Sequence, residues 1–168
     1  METAEFYKEE IRCGWRVDEK TKRIWAVQLE MLDEVERICK KYGLKYFADS
    51  GTLIGAVRHQ GYIPWDDDID LAMLREDYET FLKVAPGELK EHLVLQTPYR
   101  EKNYLRAHAQ LRNSRTQAAA GRTGKQDITV GFSLIFSPWT PCLKAVFSPG
   151  SGFFHPDIVD DALHLVSV

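Results

Sequence analysis

Apolar residues recur every three or four positions between about residues 18 and 43 of the chain, separated by Lys, Glu and Arg. The stripe consists of Ile24, Val27, Met31, Val35, Ile38 and Tyr42. Such spacing places one apolar face along a helix, so it predicts an amphipathic helix here. Gly43 fits the left-handed position that commonly follows a helix end.

A second stripe predicts another amphipathic helix over residues 75–85. Its inward-facing residues are Tyr78, Phe81, Leu82 and Ala85. The pair Pro86–Gly87 follows, and we expect it to end the helix because both residues disfavour a helix interior.

Short apolar segments between these helices have the length and composition of β-strands. The predicted strands are residues 44–48, 69–74, 92–97 and 106–112. In the segment 69–74, alternation places Asp70 on one face and Ile69 and Leu71 on the other. Residues 50–59 predict a short helix. Helices interleaved with strands indicate an α+β (or α/β) fold, a mixed sheet flanked by helices.

Composition narrows the class of protein. The 168 residues predict one domain with a real core, and 44% apolar with 28% charged residues is typical of a globular protein. The net charge of −3 argues against a general nucleic-acid binder, which has a basic surface. The three cysteines form no CxxC pair, so neither a zinc site nor a disulfide framework is predicted.

The chain shows neither a basic-then-apolar leader nor an apolar run of about 18 residues. We therefore expect a cytoplasmic protein. Work at the inner face of a membrane is compatible with this expectation.

The candidate ligand-binding residues are concentrated in residues 46–73, "YFADSGTLIGAVRHQGYIPWDDDIDLAM". This stretch contains three glycines and, near its end, four aspartates within five positions. Strand alternation places Asp68 and Asp70 on one face at the start of a strand. Two such carboxylates can share Mg²⁺, whereas without a cation their repulsion raises their pKa values. The alternative is a solvated acidic turn. A calcium loop of the EF-hand kind is disfavoured because its ligand spacing and its sixth-position glycine are missing.

The residues before the acids offer a place for phosphate. Gly51 and Thr52 open the predicted short helix, whose N–H groups and positive dipole end suit an anion. Gly51 has no Cβ, so a ligand can approach its backbone closely. Arg58 can add a charge-assisted bond to the same phosphates. A phosphate cradle beside a metal site predicts phosphoryl transfer. For His59 and Trp65, simple exposure or packing is the commoner role.

Residues 49–73, "DSGTLIGAVRHQGYIPWDDDIDLAM", closely resemble the signature of the LicD family, the bacterial phosphocholine transferases related to fukutin-type ribitol-phosphate transferases. The similarity runs without a gap through this stretch and continues more weakly over residues 29–47 and 111–116. It implies a nucleotidyltransferase-like fold, in which a Gly-Ser/Thr turn and an Asp-x-Asp strand form the active site.

The resemblance also implies roles for individual residues. Gly51 and Thr52 would contact the nucleotide phosphates, and Asp68 and Asp70 would hold Mg²⁺ (or Mn²⁺). Asp66 would be a further metal ligand or an acid just behind the ligands. The implied reaction transfers phosphocholine, or a similar phospho-alcohol, from CDP-choline or another CDP-alcohol to a sugar hydroxyl of a surface glycan, with no nucleic acid involved.

The chain departs from the family after residue 116. The expected segment resembles "YNxGIFIDIFPLDAVP", whose first aspartate would supply a third acid, but residues 127–143 read "DITVGFSLIFSPWTPCL". Back-translated one base out of frame, this segment can encode Y-N-R-G-I-F-I-D-I-F-P-L-D-A-V-P. In this shifted frame, the codon that spans the Trp139–Thr140 junction must encode aspartate. The codon that spans the Leu134–Ile135 junction can encode aspartate, at the position where the third acid is expected. We therefore hypothesise a frameshift between about residues 116 and 127.

The predicted organisation has three parts. Residues 1–18 form an N-terminal arm, either poorly ordered or a short helix. Residues 19–116 form the N-terminal half of a LicD-like nucleotidyltransferase domain, and residues 117–168 form an atypical, out-of-frame tail. The alternative is a divergent tail with a short strand at 130–136.

Under the frameshift hypothesis the sheet is incomplete at its C-terminal end and leaves an open edge. Loss of the third acid would then impair transfer. The alternatives to a transferase are a non-catalytic nucleotide- or metal-binding fragment, and another enzyme of the nucleotidyltransferase superfamily.

Overall fold

The computed structural model describes residues 4–100, 104, 106–116 and 133–139. Its three helices are α1 (Glu19–Tyr42), α2 (Ser50–His59) and α3 (Arg75–Glu88). Its strands are β1 (Glu10–Arg12), β2 (Trp15–Val17), β3 (Tyr46–Ala48), β4 (Ile69–Leu74), β5 (Leu93–Gln96), β6 (Ala109–Asn113) and β7 (Ser133–Trp139). The predicted α+β class is confirmed. In this described part, no helix has both the length and the apolar character needed to cross a bilayer.

The main sheet is mixed and has the strand order β3-β4-β7-β6-β5. Strands β4 and β7 run parallel, and the other neighbours are antiparallel. We expected the tail to leave a sheet edge open, and this expectation is wrong for the described sheet, because β7 fills the space between β4 and β6. The rest of residues 117–168 lies outside the described residues, so the frameshift itself stays a prediction.

One face of this sheet builds the core. Alternate residues of the strands pack against α1 and α3, as the alternation in residues 69–74 predicted. The buried cluster includes Ile69, Leu71, Met73, Leu93, Leu95, Ala109, Leu111 and Phe136 from the sheet, with Met31, Val35, Ile38, Tyr78, Phe81 and Ala85 from the helices. Asp70 lies on the opposite face of the sheet.

Helix α1 has the ends that its sequence predicts. The Asp18 carboxylate accepts a hydrogen bond from the Thr21 backbone N–H at 2.8 Å, which satisfies a donor in the first turn. Gly43 follows the helix with φ 66°, and its N–H donates to the Cys39 carbonyl. Both ends are therefore fixed by local sequence.

Helix α3 does not end where we predicted. It continues through Pro86 to Glu88. A proline has no N–H, so the Leu82 carbonyl four residues earlier loses its usual helical partner. The Arg100 guanidinium donates to that carbonyl at 3.4 Å, and the Leu89 N–H donates to Ala85 at 2.9 Å. These bonds explain how the helix tolerates the proline near its end.

The N-terminal arm is neither poorly ordered nor helical over its described residues. Strands β1 and β2 form an antiparallel hairpin. Its two turn residues, Cys13 and Gly14, both have positive φ, 53° and 77°, as a tight two-residue hairpin turn requires. The buried Lys22 of α1 binds Glu10 at 2.7 Å, which ties the hairpin to the helix.

The position of β7 can be tested through Phe136. This side chain is fully buried and stacks on Phe81 with ring centroids 5.1 Å apart. We expect Phe136→Ala to lower the free energy of unfolding by about 3–5 kcal/mol, the usual cost of removing a buried aromatic ring. Urea unfolding of the full chain measures this cost.

Tyr99→Ala is the matched control, because Tyr99 is 74% exposed and its loss should change stability by less than about 0.5 kcal/mol. If Phe136→Ala were as harmless as this control, β7 would not be part of the folded core.

Candidate active site

The acidic turn before β4 is held by two side chains of α1. The Trp25 indole N–H donates to the Asp66 carbonyl at 2.9 Å, and the Gln28 amide donates to the Asp67 carbonyl at 2.5 Å. The Tyr62 hydroxyl donates to Gln28 at 3.0 Å, and the Tyr62 ring stacks on Trp25 at 4.6 Å. Because these partners are buried or half-buried, the backbone that carries the acids has a fixed position.

The first turn of α2 is bonded to the start of β4. The Asp49 N–H donates to the Asp70 carbonyl at 3.0 Å, and the Asp70 N–H donates to the Thr52 hydroxyl oxygen at 2.9 Å. We expected Thr52 to contact phosphate. In this structure its oxygen positions Asp70, while its hydroxyl hydrogen can still be donated to a ligand.

Gly51 lies directly against an acid. A Cβ added at Gly51 would come within 2.6 Å of the Asp66 carboxylate oxygen Oδ2, far inside contact distance. The positive φ of this turn belongs to the neighbouring Ser50, at 48°. The need for glycine at position 51 is therefore space for the Asp66 carboxylate, and not an unusual backbone angle.

Several carboxylates lie close enough at this point to affect the pKa values of Asp68 and Asp70. Burial raises the pKa of Asp68 to about 6, and the negative charges of Asp70 and Asp66 add to the increase. Burial also raises the pKa of Asp70, with contributions from Asp49 and Asp66. The side chains predicted from the sequence are thus brought together, and they carry unfavourable like charge.

Asp49 is the member of this group that the sequence analysis missed. It is the N-cap of α2, and its carboxylate accepts from the Ser50 N–H at 2.9 Å. An aspartate directly before a predicted helix is a typical cap, so the signal was present. Its electrostatic effect on Asp70 depends on the pairing of β3 with β4, which is a non-local contact.

The donor set suits a hard cation that keeps part of its water shell. Among the described residues, no three His, Cys, Asp or Glu side chains are arranged as a ready metal cage. Asp68 and Asp70 nevertheless offer two carboxylates whose repulsion a cation would relieve. Mg²⁺ is commonly held by one or two carboxylates, with phosphate and water oxygens completing the octahedron, so these residues fit it.

Three other candidates make no hydrogen bond or ion pair with the acids within the described part of the chain. Arg58 is exposed in the last turn of α2, about 10 Å along the helix axis from Gly51, and its contact with phosphate stays a prediction. The His59 ring nitrogen Nδ1 lies 3.5 Å from the Cys13 sulfur. Trp65 is 57% exposed and meets Trp15 of the hairpin edge to face at 5.9 Å.

An apolar residue stands where the third acid was expected. In the parallel pairing of β4 with β7, Ile135 is opposite Asp70 and Leu134 is opposite Ile69. Directly opposed strand residues share a face, so Ile135 lies beside Asp70 on the acidic face. The Leu134–Ile135 junction is the place at which the alternative frame permits aspartate.

Comparison with known proteins gives a family match. The model of the LicD/FKTN/FKRP nucleotidyltransferase domain matches residues 43–126. This range is half of the chain, and it contains α2, the acidic turn and β4.

Individual relatives agree with this match. The lipopolysaccharide cholinephosphotransferase LicD of Haemophilus influenzae is 46% identical over 71 residues, which is 42% of this chain and 27% of that protein. An uncharacterised protein of Rickettsia typhi is 42% identical over 73 residues, 43% of this chain and 22% of the relative. The human ribitol 5-phosphate transferase FKRP is 49% identical over 35 residues, 21% of this chain and 7% of that protein.

The aligned part of the chain therefore spans about a quarter of the length of the first two relatives and less of the third. The family match nevertheless covers the turn, the helix and the strand that carry the acids. On this evidence, the chain belongs to the LicD family and carries its nucleotidyltransferase-domain signature.

Proposed function

We propose that this chain binds a CDP-linked phospho-alcohol, with CDP-choline as the first candidate, together with Mg²⁺ or Mn²⁺. The corresponding reaction is transfer of the phospho-alcohol to a sugar hydroxyl of a surface glycan. The observation that carries the proposal is the placement of Asp68 and Asp70 beside the N-terminal turn of α2. The names of two relatives, a lipopolysaccharide cholinephosphotransferase and a ribitol 5-phosphate transferase, support the substrate class.

The chain's own residues would divide the work as follows. Asp68 and Asp70 hold the cation, which when bound neutralises charge on the donor phosphates. The N–H groups at Gly51 and Thr52, at the positive end of α2, orient a phosphate. Asp66 lies behind Gly51 and adds negative charge that favours cation binding. Donor binding and cation binding should therefore depend on each other.

We further propose that transfer is slow in this chain. The acceptor hydroxyl needs a base. At the position beside Asp70 where the resemblance implies a third acid, this chain has Ile135. This observation also favours a second candidate function, a nucleotide- and metal-binding protein without turnover. Metal-dependent CDP-choline binding without release of CMP would distinguish it from a transferase. For either function we propose a cytoplasmic location, which is compatible with work at the inner face of a membrane.

The metal ligands can be ranked by substitution. We expect Asp68→Asn and Asp70→Asn each to lower Mg²⁺-dependent CDP-choline affinity by at least about tenfold, because each removes a charged ligand. Asp66→Asn should have a smaller effect, since the Asp66 carboxylate lies against Gly51 and we place it behind the two ligands. Isothermal titration measures all three affinities. Asp33→Asn, an exposed acid on α1, is the control. Equal losses for all three acids would show the ranking to be wrong.

The space at Gly51 gives a second test. In Gly51→Ala the new methyl group displaces the Asp66 carboxylate, so donor affinity should fall by at least about threefold, while the melting temperature changes little. Gly87→Ala is the matched control, because a Cβ there meets nothing within 4 Å. A parallel fall in melting temperature and affinity would instead make Gly51 a structural turn residue.

Turnover can be tested at position 135. Ile135→Asp places a carboxylate beside Asp70, and we expect it to raise CDP-choline-dependent release of CMP above that of the parent chain. Ile135→Asn is the matched control, since it is polar and similar in size but cannot take a proton. A chain expressed with the alternative reading frame restored after about residue 116 should release CMP faster still and be more soluble than the parent chain. If neither change raised activity, the loss of the third acid would not explain slow transfer.

A further inference from the structure

Three aromatic rings from three separate elements meet beside the acidic turn. Trp15 belongs to β2, His59 is the last residue of α2, and Trp65 lies in the turn before the acids. The ring centroids of Trp15 and Trp65 are 5.9 Å apart with 67° between the ring planes, and those of His59 and Trp65 are 6.0 Å apart with 78°. Rings at such angles form a corner and not a stack. We call these three residues the aromatic corner.

The backbone on both sides of Trp65 is held by hydrogen bonds. The Asp66 N–H donates to the Ile63 carbonyl at 2.9 Å, which closes the turn that carries Trp65. The Asp66 carbonyl in turn accepts from the Trp25 indole at 2.9 Å. Trp65 therefore has a fixed place directly before the acids.

The hairpin holds Trp15 in a similar way. Trp15 lies two residues from Val17, so both side chains are on one face of β2, and Val17 is fully buried. The Cys13 sulfur of the hairpin turn lies 3.5 Å from the His59 ring nitrogen Nδ1, which joins the hairpin to α2. The corner is thus held by contacts of its own members and of their neighbours.

The two indole rings of the corner are open to solvent. Trp15 is 52% exposed and Trp65 is 57% exposed. Within the described residues, no Lys or Arg stands over either ring, whereas Arg12 stands over Trp25. Arg12 faces Trp15 across the hairpin, but its charge is paired with Glu10 at 2.9 Å. The ring faces therefore remain available to a cation from outside.

A quaternary ammonium group suits such a corner. It has no N–H to donate, so a protein recognises it through the negative faces of aromatic rings, best through tryptophan. The carboxylates of Asp66 and the exposed Asp67, which follow Trp65 in the chain, add attraction for a positive charge. A neutral polyol would gain neither contribution.

We propose that the aromatic corner binds the trimethylammonium group of the donor's choline. This inference rests on the proposed function, because Asp68 and Asp70 would place the donor's phosphates. Three residues of chain separate Trp65 from Asp68, so their Cα atoms are at most about 11 Å apart. A phosphocholine group and the side chains that hold its two ends can cover that distance.

The hairpin would thereby contribute to substrate specificity. Trp15 precedes residues 43–126, which the family match covers, so this ring is an addition to the family signature. Trp15 and Trp65 are thus residues that select choline over a neutral phospho-alcohol.

Two donors of equal shape provide the first test. CDP-choline is compared with CDP-linked dimethylbutanol, in which a carbon atom replaces the ammonium nitrogen, by calorimetric titration of the full chain with Mg²⁺. We expect the parent chain to bind CDP-choline at least about fivefold more tightly, because only the ammonium interacts with the ring faces as a cation. Equal affinity for the two compounds would overturn the inference, and this comparison needs no variant.

Substitutions then assign the preference to the corner. Trp15→Leu and Trp65→Leu keep an apolar side chain but lose the ring, so each should reduce the preference for CDP-choline by about threefold or more. Trp15→Phe and Trp65→Phe keep a ring face and should retain most of it. Tyr99→Leu, which removes an exposed ring after β5, is the matched control and should change nothing. Melting temperatures report on folding, and an undiminished preference in both folded leucine variants would overturn the inference.

A probe without nucleotide separates this inference from the proposed function. Tetramethylammonium chloride is titrated into the ¹⁵N-labelled chain, with sodium chloride at equal ionic strength as the control. We expect the indole N–H signals of Trp15 and Trp65 to shift, while that of Trp25, which is 2% exposed and bonded to Asp66, stays in place. If neither CDP compound bound, the proposed function would fail, and these selective shifts would still support the corner. The absence of any shift beyond that of sodium chloride would overturn it.

Discussion

Two hydrogen bonds from α1 hold the backbone on which the site depends. Trp25 and Gln28 donate to the carbonyls of Asp66 and Asp67, and both donors are buried. A buried donor that loses its partner costs about 1–3 kcal/mol, so the turn is held firmly. Without this restraint, repulsion among the carboxylates would favour an open, hydrated loop. The helix thus keeps like charges close together, as the proposed cation site requires.

Strand alternation gives the sheet one face that packs against the helices and one face that carries Asp70. Since β4 alternates, Ile69 and Leu71 enter the core while Asp70 points away from it. The Thr52 hydroxyl then joins the start of α2 to Asp70, which places a helix N-terminus beside the acids. The core and the proposed ligand site therefore lie on different sides of one strand, and a substitution at the proposed site need not disturb the core.

Local patterns predicted the elements nearest the site well. The bounds of α2 and β4 agree with the predicted segments 50–59 and 69–74, because their caps, alternation and apolar residues are encoded within a few positions. Local reasoning failed at Pro86, where the distant Arg100 supplies a bond that the sequence around the proline does not reveal. The N-terminal hairpin was missed because its strands are short, although Cys13–Gly14 carries a turn signal. Strand register is also non-local, so the central place of β7 in the sheet was not predictable.

The central claim, that Asp68 and Asp70 hold a divalent cation at the N-terminus of α2, is tested most directly by Mn²⁺ titration of the ¹⁵N-labelled chain. A paramagnetic ion broadens the amide signals nearest to it. The account predicts selective broadening at residues 49–52 and 66–70, reversed by excess Mg²⁺ and strengthened by CDP-choline. Broadening centred on another acid, such as Glu88 beside Lys41, or no selective broadening at all, would contradict it.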